Sequence, residues 1–498
     1  MIIPVAQQAN RIVQLIKAQN SSVIPDRSSV IHDTFVLPMA STAAWSDALI
    51  AYGQSLQSLD LMAAALTDTD MLTAIAEAMQ VSYNQAYEFV VNGILRFGAN
   101  YGCYLKPATA ATAFISIYSN SLPTSDISIA AGLGVETAQG VKYYVPNSLM
   151  LTVDSAPAFY DATLDAYAIQ ALAECSQTGT AGNTGTETIV YFSDTAALVG
   201  IDGVTNLTEV SSGFAQETIT EFIARVKLTI SGTSLQTSDG IAAEVLKLTS
   251  LPDVYVVDAQ SPYSIRNDGY GGVVDVYTRN SIPVSTSQTM STVTQASGMI
   301  FALQPVIDIL SVSYQTDVYV KDTDFILTKD TRPALQGSSS AQDRIEWLTA
   351  NHPPDGSDYT VNYVYNQAVQ LIKSVLAEPS LTPLMGDVVD CALGREGTPT
   401  YVGIQFSVVL NSAAARATVL DNAVAAVYSY ISGLGFGDAL AISDVVGVLE
   451  GVAGIATVNV TPIRFAVYNT TTNTYGANLD TITPVGASFI KPWEIVIG

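Results

Sequence analysis

Residues 211–232 read SSGFAQETITEFIARVKLTISG, Ser211 to Gly232, and this stretch separates two kinds of sequence. Ile219, Phe222, Ile223, Val226 and Ile230 recur at helical spacing and form one apolar face. Glu217 and Glu221 lie toward the start and Arg225 and Lys227 toward the end, the order that complements a helix dipole. A helix is therefore predicted from about Phe214, capped by Ser211 or Ser212, with Glu221 and Arg225 as a four-residue ion pair and Gly232 as its stop.

Working outward, the N-terminal side falls into a helical and a β-rich part. Residues 40–79 are rich in Ala, Leu and Met with little Gly or Pro, and 83–95 continue the pattern. The apolar stripe there is broad, which implies burial against partner helices. From Phe114 the character changes. Phe114, Ile115, Ile117 and Tyr118 form a short strand, and Val141, Tyr143 and Val145 alternate with polar neighbours. A loop of small residues at 177–188 carries Gly179, Gly182 and Gly185.

On the C-terminal side a second helix is predicted near 241–248, followed by a turn at Pro252-Asp253 and a strand at 254–257. Val245, Leu248, Leu251 and Val254 have counterparts in Val446, Leu449, Val452 and Ile455, so a helix-turn-strand unit occurs twice. In both, the apolar helix face is expected to pack on the strand it feeds. Tyr359, Val361, Tyr363 and Tyr365 mark a strand, Asn366 caps a helix carrying Val369, Ile372 and Leu376, and 402–410 form another strand. A helix with Leu420, Val424, Val427, Tyr428 and Ile431 on one face follows, then a loop with Gly433, Gly435 and Gly437. The fold class is α+β and multidomain. The expected division is an N-terminal helical region (1–111), a β-rich middle domain (112–210), an α/β domain with an amphipathic helix pair (211–300), a mixed α/β C-terminal domain (301–462) and a C-terminal arm (463–498).

Bulk composition narrows the function. The 498 residues are 48% hydrophobic and 13% charged, the balance of a well-buried globular chain. Asp and Glu number 45 against 20 Lys and Arg, a net charge of -25. No Lys or Arg occurs between Arg27 and Arg96, or from Tyr143 to Ala224. Such a surface repels phosphate backbones and anionic headgroups, so neither nucleic acid nor membrane is expected as a partner. No run approaches about 18 apolar residues, so no transmembrane helix is expected, and Met1 to Asn10 lacks the pattern of a secretory signal. Cys103, Cys175 and Cys391 are far apart and odd in number, which fits reduced, packed thiols.

Catalytic constellations are hard to assemble. His32 and His352 are far apart, with no ligand-spaced cysteine, so no zinc site and no serine triad is expected. Gly132-Leu133-Gly134 lacks the rest of a dinucleotide fingerprint, and Asp438 beside the glycines at 433–437 would repel a phosphate. Asp322, Asp324 and Asp330 are interspersed with Lys321 and Lys329 and do not match an EF-hand. The expectation is no enzyme: no catalytic, cofactor or metal residue is singled out, though a paired-carboxylate glycosidase stays open because its acids need not be neighbours.

Several stretches, in order, resemble the baseplate J family of contractile phage tails and related injection systems. They are Ser29-Val30-Ile31-His32-Asp33 with Phe35 and Pro38; Gly93 to Ala99 before the Phe114 strand; and Ile127 to Gly132 with Val135-Glu136-Thr137, Gly140 and Tyr143. The most specific run is Ala171, Gly179, Gly182-Asn183, Gly185, Val204-Thr205-Asn206, Gly213, Glu217-Thr218 and Arg225. It is similar to the family's glycine-asparagine loop, valine-x-asparagine and glycine-acidic stretch opening a helix with arginine. Ser212 stands where a second glycine is usual, and Asp253-Val254 where the family has Gly-Val.

The resemblance implies a structural wedge subunit of the baseplate in a virion tail, assembled in the host cytoplasm. Its implied partners are a second copy in a six-fold ring, an unlike wedge protein, the central hub, the sheath and tail-fibre-attachment proteins. N-terminal helices would enter a wedge bundle and C-terminal domains the ring, which would rearrange to trigger sheath contraction. The resemblance brings no cofactor and no catalytic residue. A sheath or fibre-attachment subunit, and a tail-associated glycan hydrolase, are the alternatives. The 25 tyrosines suit interfaces as well as cores.

Overall fold

The computed structural model describes residues 5–19, 29–43, 46, 59–79, 81–193, 198–232, 237–248, 250–258, 261–263, 274–291, 293, 299–329, 343–376, 392–411 and 416–498. The chain combines helices and sheets, consistent with an α+β multidomain fold. The chain forms two compact units: residues 1–106 with 217–233, and residues 107–216 with 234–498.

The first unit is helical. α1 (Val5–Gln19) packs Val5, Ile12, Val13 and Ile16 around Val36 and Ala40 of a second helical stretch, residues 30–43, which contains the π-helical turn His32–Val36. α2 (Leu59–Thr67) and α3 (Thr69–Met79) follow. They are separated at Asp68, whose carboxylate accepts from the Asp70 and Met71 amides and so caps α3. Residues 44, 45 and 47–58 of the expected helical region lie outside the described residues. α4 (Tyr83–Ala99) opens on a capping box between Ser82 and Gln85.

α5 (Ile219–Ser231) completes the unit. Phe222, Ile223 and Val226 are buried with Met62, Leu72, Ile75, Val90 and Ile94, so the apolar face read from the sequence is the face that packs. The helix begins later than Phe214 because the chain carries a better cap. Thr218 accepts from the Glu221 amide, and the Glu221 carboxylate accepts from the Thr218 amide. That use of Glu221 also removes it from the expected pair with Arg225. Gly98 on α4 admits the Phe222 ring into the space a Cβ would occupy.

The second unit starts with an antiparallel sheet. Its strands are β1 (Ala110–Ser119), β2 (Gly134–Thr137), β3 (Lys142–Tyr144), β4 (Ala166–Thr178), β5 (Ile189–Phe192) and β6 (Gly203–Thr205). They lie in the order β5-β2-β3-β4-β1-β6, with Tyr160–Asp161 pairing onto β4. Ile115, Ile117, Val135, Tyr143, Val145, Ala173 and Ile189 fill its core.

The chain continues through α6 (Ser238–Val245), β7 (Tyr255–Asp258), β8 (Val274–Thr278), β9 (Pro283–Met290), β10 (Val306–Tyr314), β11 (Asp317–Tyr319), β12 (Tyr359–Asn366) and α7 (Gln367–Leu376). α6 starts earlier than the expected 241 because Thr237 caps it through the Gly240 amide. β8 pairs antiparallel with β7 and parallel with β13 (Ala392–Glu396). The antiparallel set β9-β12-β10-β11 encloses Phe301, Phe325, Tyr359 and Tyr363. Asn366 behaves as the sequence indicated: its Oδ1 accepts from the Ala368 amide at the start of α7, and Val369, Ile372 and Leu376 are buried.

The last hundred residues build one further core. β14 (Thr398–Phe406), β15 (Val408–Leu410), α8 (Arg416–Gly433), α9 (Ile442–Glu450), β16 (Ile455–Val458), β17 (Arg464–Asn469), β18 (Thr474–Tyr475) and β19 (Ser488–Ile497) contribute to it. The sheet order is β18-β17-β14-β19, with β19 parallel to β14. Phe465, Ile490 and Ile497 are buried with Val402, Ile404, Phe406, Val427, Ile431 and Leu449. Both helix-turn-strand units exist, as α6 to β7 and α9 to β16, and each strand joins a different partner: β7 pairs β8, and β16 pairs β15.

Candidate functional site

The residues of the glycine-asparagine run converge in the second unit. Gly179 starts the loop after β4 with φ 100°, a left-handed conformation that favours glycine. The loop then turns Asn183 inward, where it is buried. Its Nδ2 donates to the Gly213 carbonyl and its Oδ1 accepts from the Gly213 amide, both at 2.9 Å. A Cβ on Gly213 would stand 2.5 Å from the Gly179 carbonyl oxygen and 2.9 Å from Asn183 Oδ1, so only glycine fits.

Asn206 lies beside this lock and is fully buried. Its Oδ1 accepts from the Thr188 and Ile189 amides at 3.0 and 2.9 Å, and its Nδ2 donates to the Gly185 and Thr208 carbonyls at 2.7 and 2.8 Å. All four hydrogen-bonding positions of the amide are used, which is what a buried asparagine needs. Ser212, at the position where the family resemblance expects glycine, was a candidate helix cap. Its Oγ instead bonds the Thr112 amide and carbonyl on β1, at 2.6 and 3.2 Å.

The same loop reaches α8. Thr180 Oγ1 lies 2.9 Å from Ser429 Oγ, and Asn183 Nδ2 lies 3.2 Å from Ser432 Oγ. Tyr143 donates from its phenol to the Gly182 carbonyl at 2.5 Å. Burial, then the neighbouring Cys175, pushes that phenol's pKa up, so it stays a donor. Close by, Lys491 of β19 pairs with Glu209 at 2.9 Å. Burial lowers the Lys491 pKa, but Glu209 outweighs it and the net shift is upward.

In the first unit, Glu217 and Arg225 form the acidic-arginine end of the run. Arg225 Nε and Nη2 donate to the two Glu217 carboxylate oxygens at 2.7 and 2.8 Å, and Nη2 also donates to the Tyr104 carbonyl at 2.6 Å. Both side chains are 7% exposed. Glu217 Oε2 further accepts from the Lys106 amide at 3.0 Å, and the Glu217 amide donates to the Lys106 carbonyl. Residues 106 and 217, where the chain leaves and re-enters this unit, are thus tied to each other by backbone and carboxylate.

The residues weighed for chemistry have these partners where they are described. His32 is buried and faces Asp33 Oδ1 at 3.2 Å, and His352 Nδ1 bonds the Pro353 carbonyl. Asp324 organises its own loop, accepting from the Val320 amide, Thr349 Oγ1 and Asn351 Nδ2. Asp330 lies outside the described residues. In the 433–437 loop, Gly435 N donates to Asp438 and Phe436 N to Asp253. Among the described residues no group of three or more His, Cys, Asp or Glu is placed to hold a metal. No helix there is long and apolar enough to cross a membrane. Cys103 and Cys175 are free, buried thiols, and Cys391 lies outside the described residues.

No protein-family model matches the chain. No curated protein matches it either. Among solved structures, it is similar to a chain of the anti-feeding prophage baseplate, solved by cryo-EM and six-fold symmetrised. The likeness spans 99% of both chains, at 10% sequence identity and a TM-score of 0.30. A score of that size is too low to establish a common fold.

The residues of the loop lock are legible in the sequence, but their contacts on α8 are not. Ser429 and Ser432 on α8 and Lys491 on β19 carry no local signal, because their partners are far away along the chain. The signal that was available is Asn183 itself: a polar residue within a run of glycines is a natural loop staple.

Outside the lock, large apolar side chains are exposed on the N-terminal helical hairpin. Leu15, Val30, Phe35 and Met39 are more than half exposed, while Ala9, Val36 and Ala40 form the small core beneath. This stretch therefore carries apolar residues on two faces.

Proposed function

We propose that this chain is a structural wedge subunit of a contractile-tail baseplate. In this reading it pairs with a second copy, joins an unlike wedge protein, and enters a six-fold ring around the central hub, beside the sheath and fibre-attachment proteins. It acts by holding and then releasing an assembled state, with no catalytic step and no cofactor, and its place is the virion tail after assembly in the host cytoplasm.

The observation that carries the reading is the use of the residues that resemble the baseplate J run. Asn183, Asn206, Gly213, Glu217 and Arg225 all spend their hydrogen bonds on the chain itself. A run so specific and so inward-facing is what a load-transmitting scaffold needs, because fully satisfied buried polar networks fix one geometry. The exposed apolar face of residues 30–39 is the surface we assign to the wedge bundle, and the C-terminal α/β region is the part we assign to the ring.

The test is co-production with the other tail proteins encoded beside it, followed by measurement of the mass of the purified complexes. A defined complex containing an unlike subunit supports the wedge reading. Long tubes formed by this chain alone would assign it to a sheath.

A further inference from the structure

The C-terminal sheet carries an aromatic stack. β19 pairs with β14 through a β-bulge: Pro492 lies opposite Val402 and Glu494 opposite Gly403, leaving Trp493 as the extra residue. Bulges re-aim side chains. Here the indole stacks on Tyr468 of β17, with ring centroids 4.3 Å apart and an interplanar angle of 15°. Tyr475 of β18 lies behind Tyr468 at 4.9 Å, and Arg464 lies over Tyr475 at 4.1 Å. Tyr401 meets the edge of the stack, 5.4 Å from Trp493 at 80°.

The stack is held rigidly. Gly403 leaves the space that the Tyr475 ring occupies, and Glu494 accepts from the Tyr475 phenol at 2.7 Å and from Arg464 at 2.6 Å. Trp493 nevertheless remains 49% exposed. One ring face is covered by Tyr468, so that exposure belongs largely to the opposite face.

We propose that the open face of Trp493 is a stacking site for a neutral pyranose of a glycan chain. The aromatic π-face is electron-rich and attracts the polarised C–H groups on a pyranose face. Glu494, the next residue along the strand and 46% exposed at its side chain, keeps lone pairs free to accept from sugar hydroxyls. The two nearby cations are engaged, Arg464 with Glu494 and Lys491 with Glu209, which disfavours an anionic sugar. A net charge of -25 likewise disfavours a nucleobase with its phosphates or an anionic lipid surface. A quaternary ammonium needs several aromatic walls, and Trp493 presents one.

The test uses the full chain labelled with 15N-tryptophan, which holds three Trp residues and so at most three indole signals. It is titrated with neutral hexasaccharides of β-1,4-linked glucose, N-acetylglucosamine, xylose and mannose. The expected result is a saturable shift of the Trp493 signal alone with at least one of them, abolished in Trp493→Ala and weakened several-fold in Trp493→Phe. No shift with any of the four would overturn the proposal. So would a shift that follows protein concentration in place of sugar, which would give this face to a second copy of the chain.

Discussion

Asn183 and Gly213 close on each other through a pair of hydrogen bonds, side-chain amide to backbone carbonyl and backbone amide to side-chain carbonyl, each 2.9 Å long. Thirty residues apart in sequence, they join the loop after β4 to the segment that leads out of the second unit. Removing the side chain leaves a buried amide and carbonyl without partners. Asn183→Ala is expected to cost about 2–4 kcal/mol, since each orphaned buried group costs roughly 1–3 kcal/mol. Denaturant titration followed by near-UV circular dichroism reads this directly, and a change below the error of the titration would mean that water replaces the lock.

Gly98 tests the packing of the first unit. A methyl group there would enter the space held by the Phe222 ring, which is fully buried and has nowhere to retreat. Gly98→Ala is expected to destabilise by about 1–3 kcal/mol despite the better helix propensity of alanine. A calorimetric scan showing an unchanged or raised Tm would contradict the close approach of α4 and α5.

The Glu217–Arg225 pair makes a prediction of the opposite kind for single and double changes. Glu217→Gln leaves a buried guanidinium without its counter-charge and is expected to cost about 3–5 kcal/mol. Replacing both residues with methionine removes the stranded charge and is expected to recover most of that loss. Equal damage from the single and double variants would show that the carboxylate matters for the Lys106 amide more than for the arginine.

Much of this was legible in the sequence, and the failures have identifiable causes. Phe222, Ile223 and Val226 declare the buried face of α5 by their spacing, and Asn366 declares the start of α7. The start of α5 was misplaced because serines at 211 and 212 were preferred over the Thr218-x-x-Glu221 pattern, whose two reciprocal bonds make the stronger cap. Arg225 then takes Glu217, eight residues away, because Glu221 is spent on the cap. Long-range partners were not legible at all. β8 pairs in parallel with β13 across more than a hundred residues, and Asn183 meets Ser432 on α8. Such contacts are decided by the competition among all strands and loops after collapse, and no local window records them.

Asp253 supplies a pH dependence. Burial raises its carboxyl pKa, and the nearby Asp438 adds to the rise, while the Phe436 amide and Arg279 oppose it. With the folded pKa above the unfolded one, the folded state holds the proton more tightly. This group therefore adds stability as pH falls through the folded pKa toward the ordinary carboxylate value, and loses it as pH rises. Asp253→Asn is expected to flatten that part of the stability profile. Thermal melts of both proteins from neutral to mildly acidic pH check the sign: wild type gaining less than the variant on acidification would contradict it.

The wedge-bundle role proposed for the apolar face of the N-terminal hairpin can be tested at Phe35. Phe35 is 62% exposed, so Phe35→Glu is expected to leave folding stability within about 0.5 kcal/mol. If this face joins the wedge bundle, the same change weakens association with the unlike subunit at least tenfold, or about 1.4 kcal/mol. Quantitative pull-down with unchanged melting behaviour separates the two effects.

The most direct measurement is light scattering on the size-exclusion peak of the purified chain, alone and mixed with the proteins encoded beside it. The account predicts a small oligomer that takes up an unlike subunit at fixed stoichiometry. An inert monomer that ignores every tail protein would contradict it.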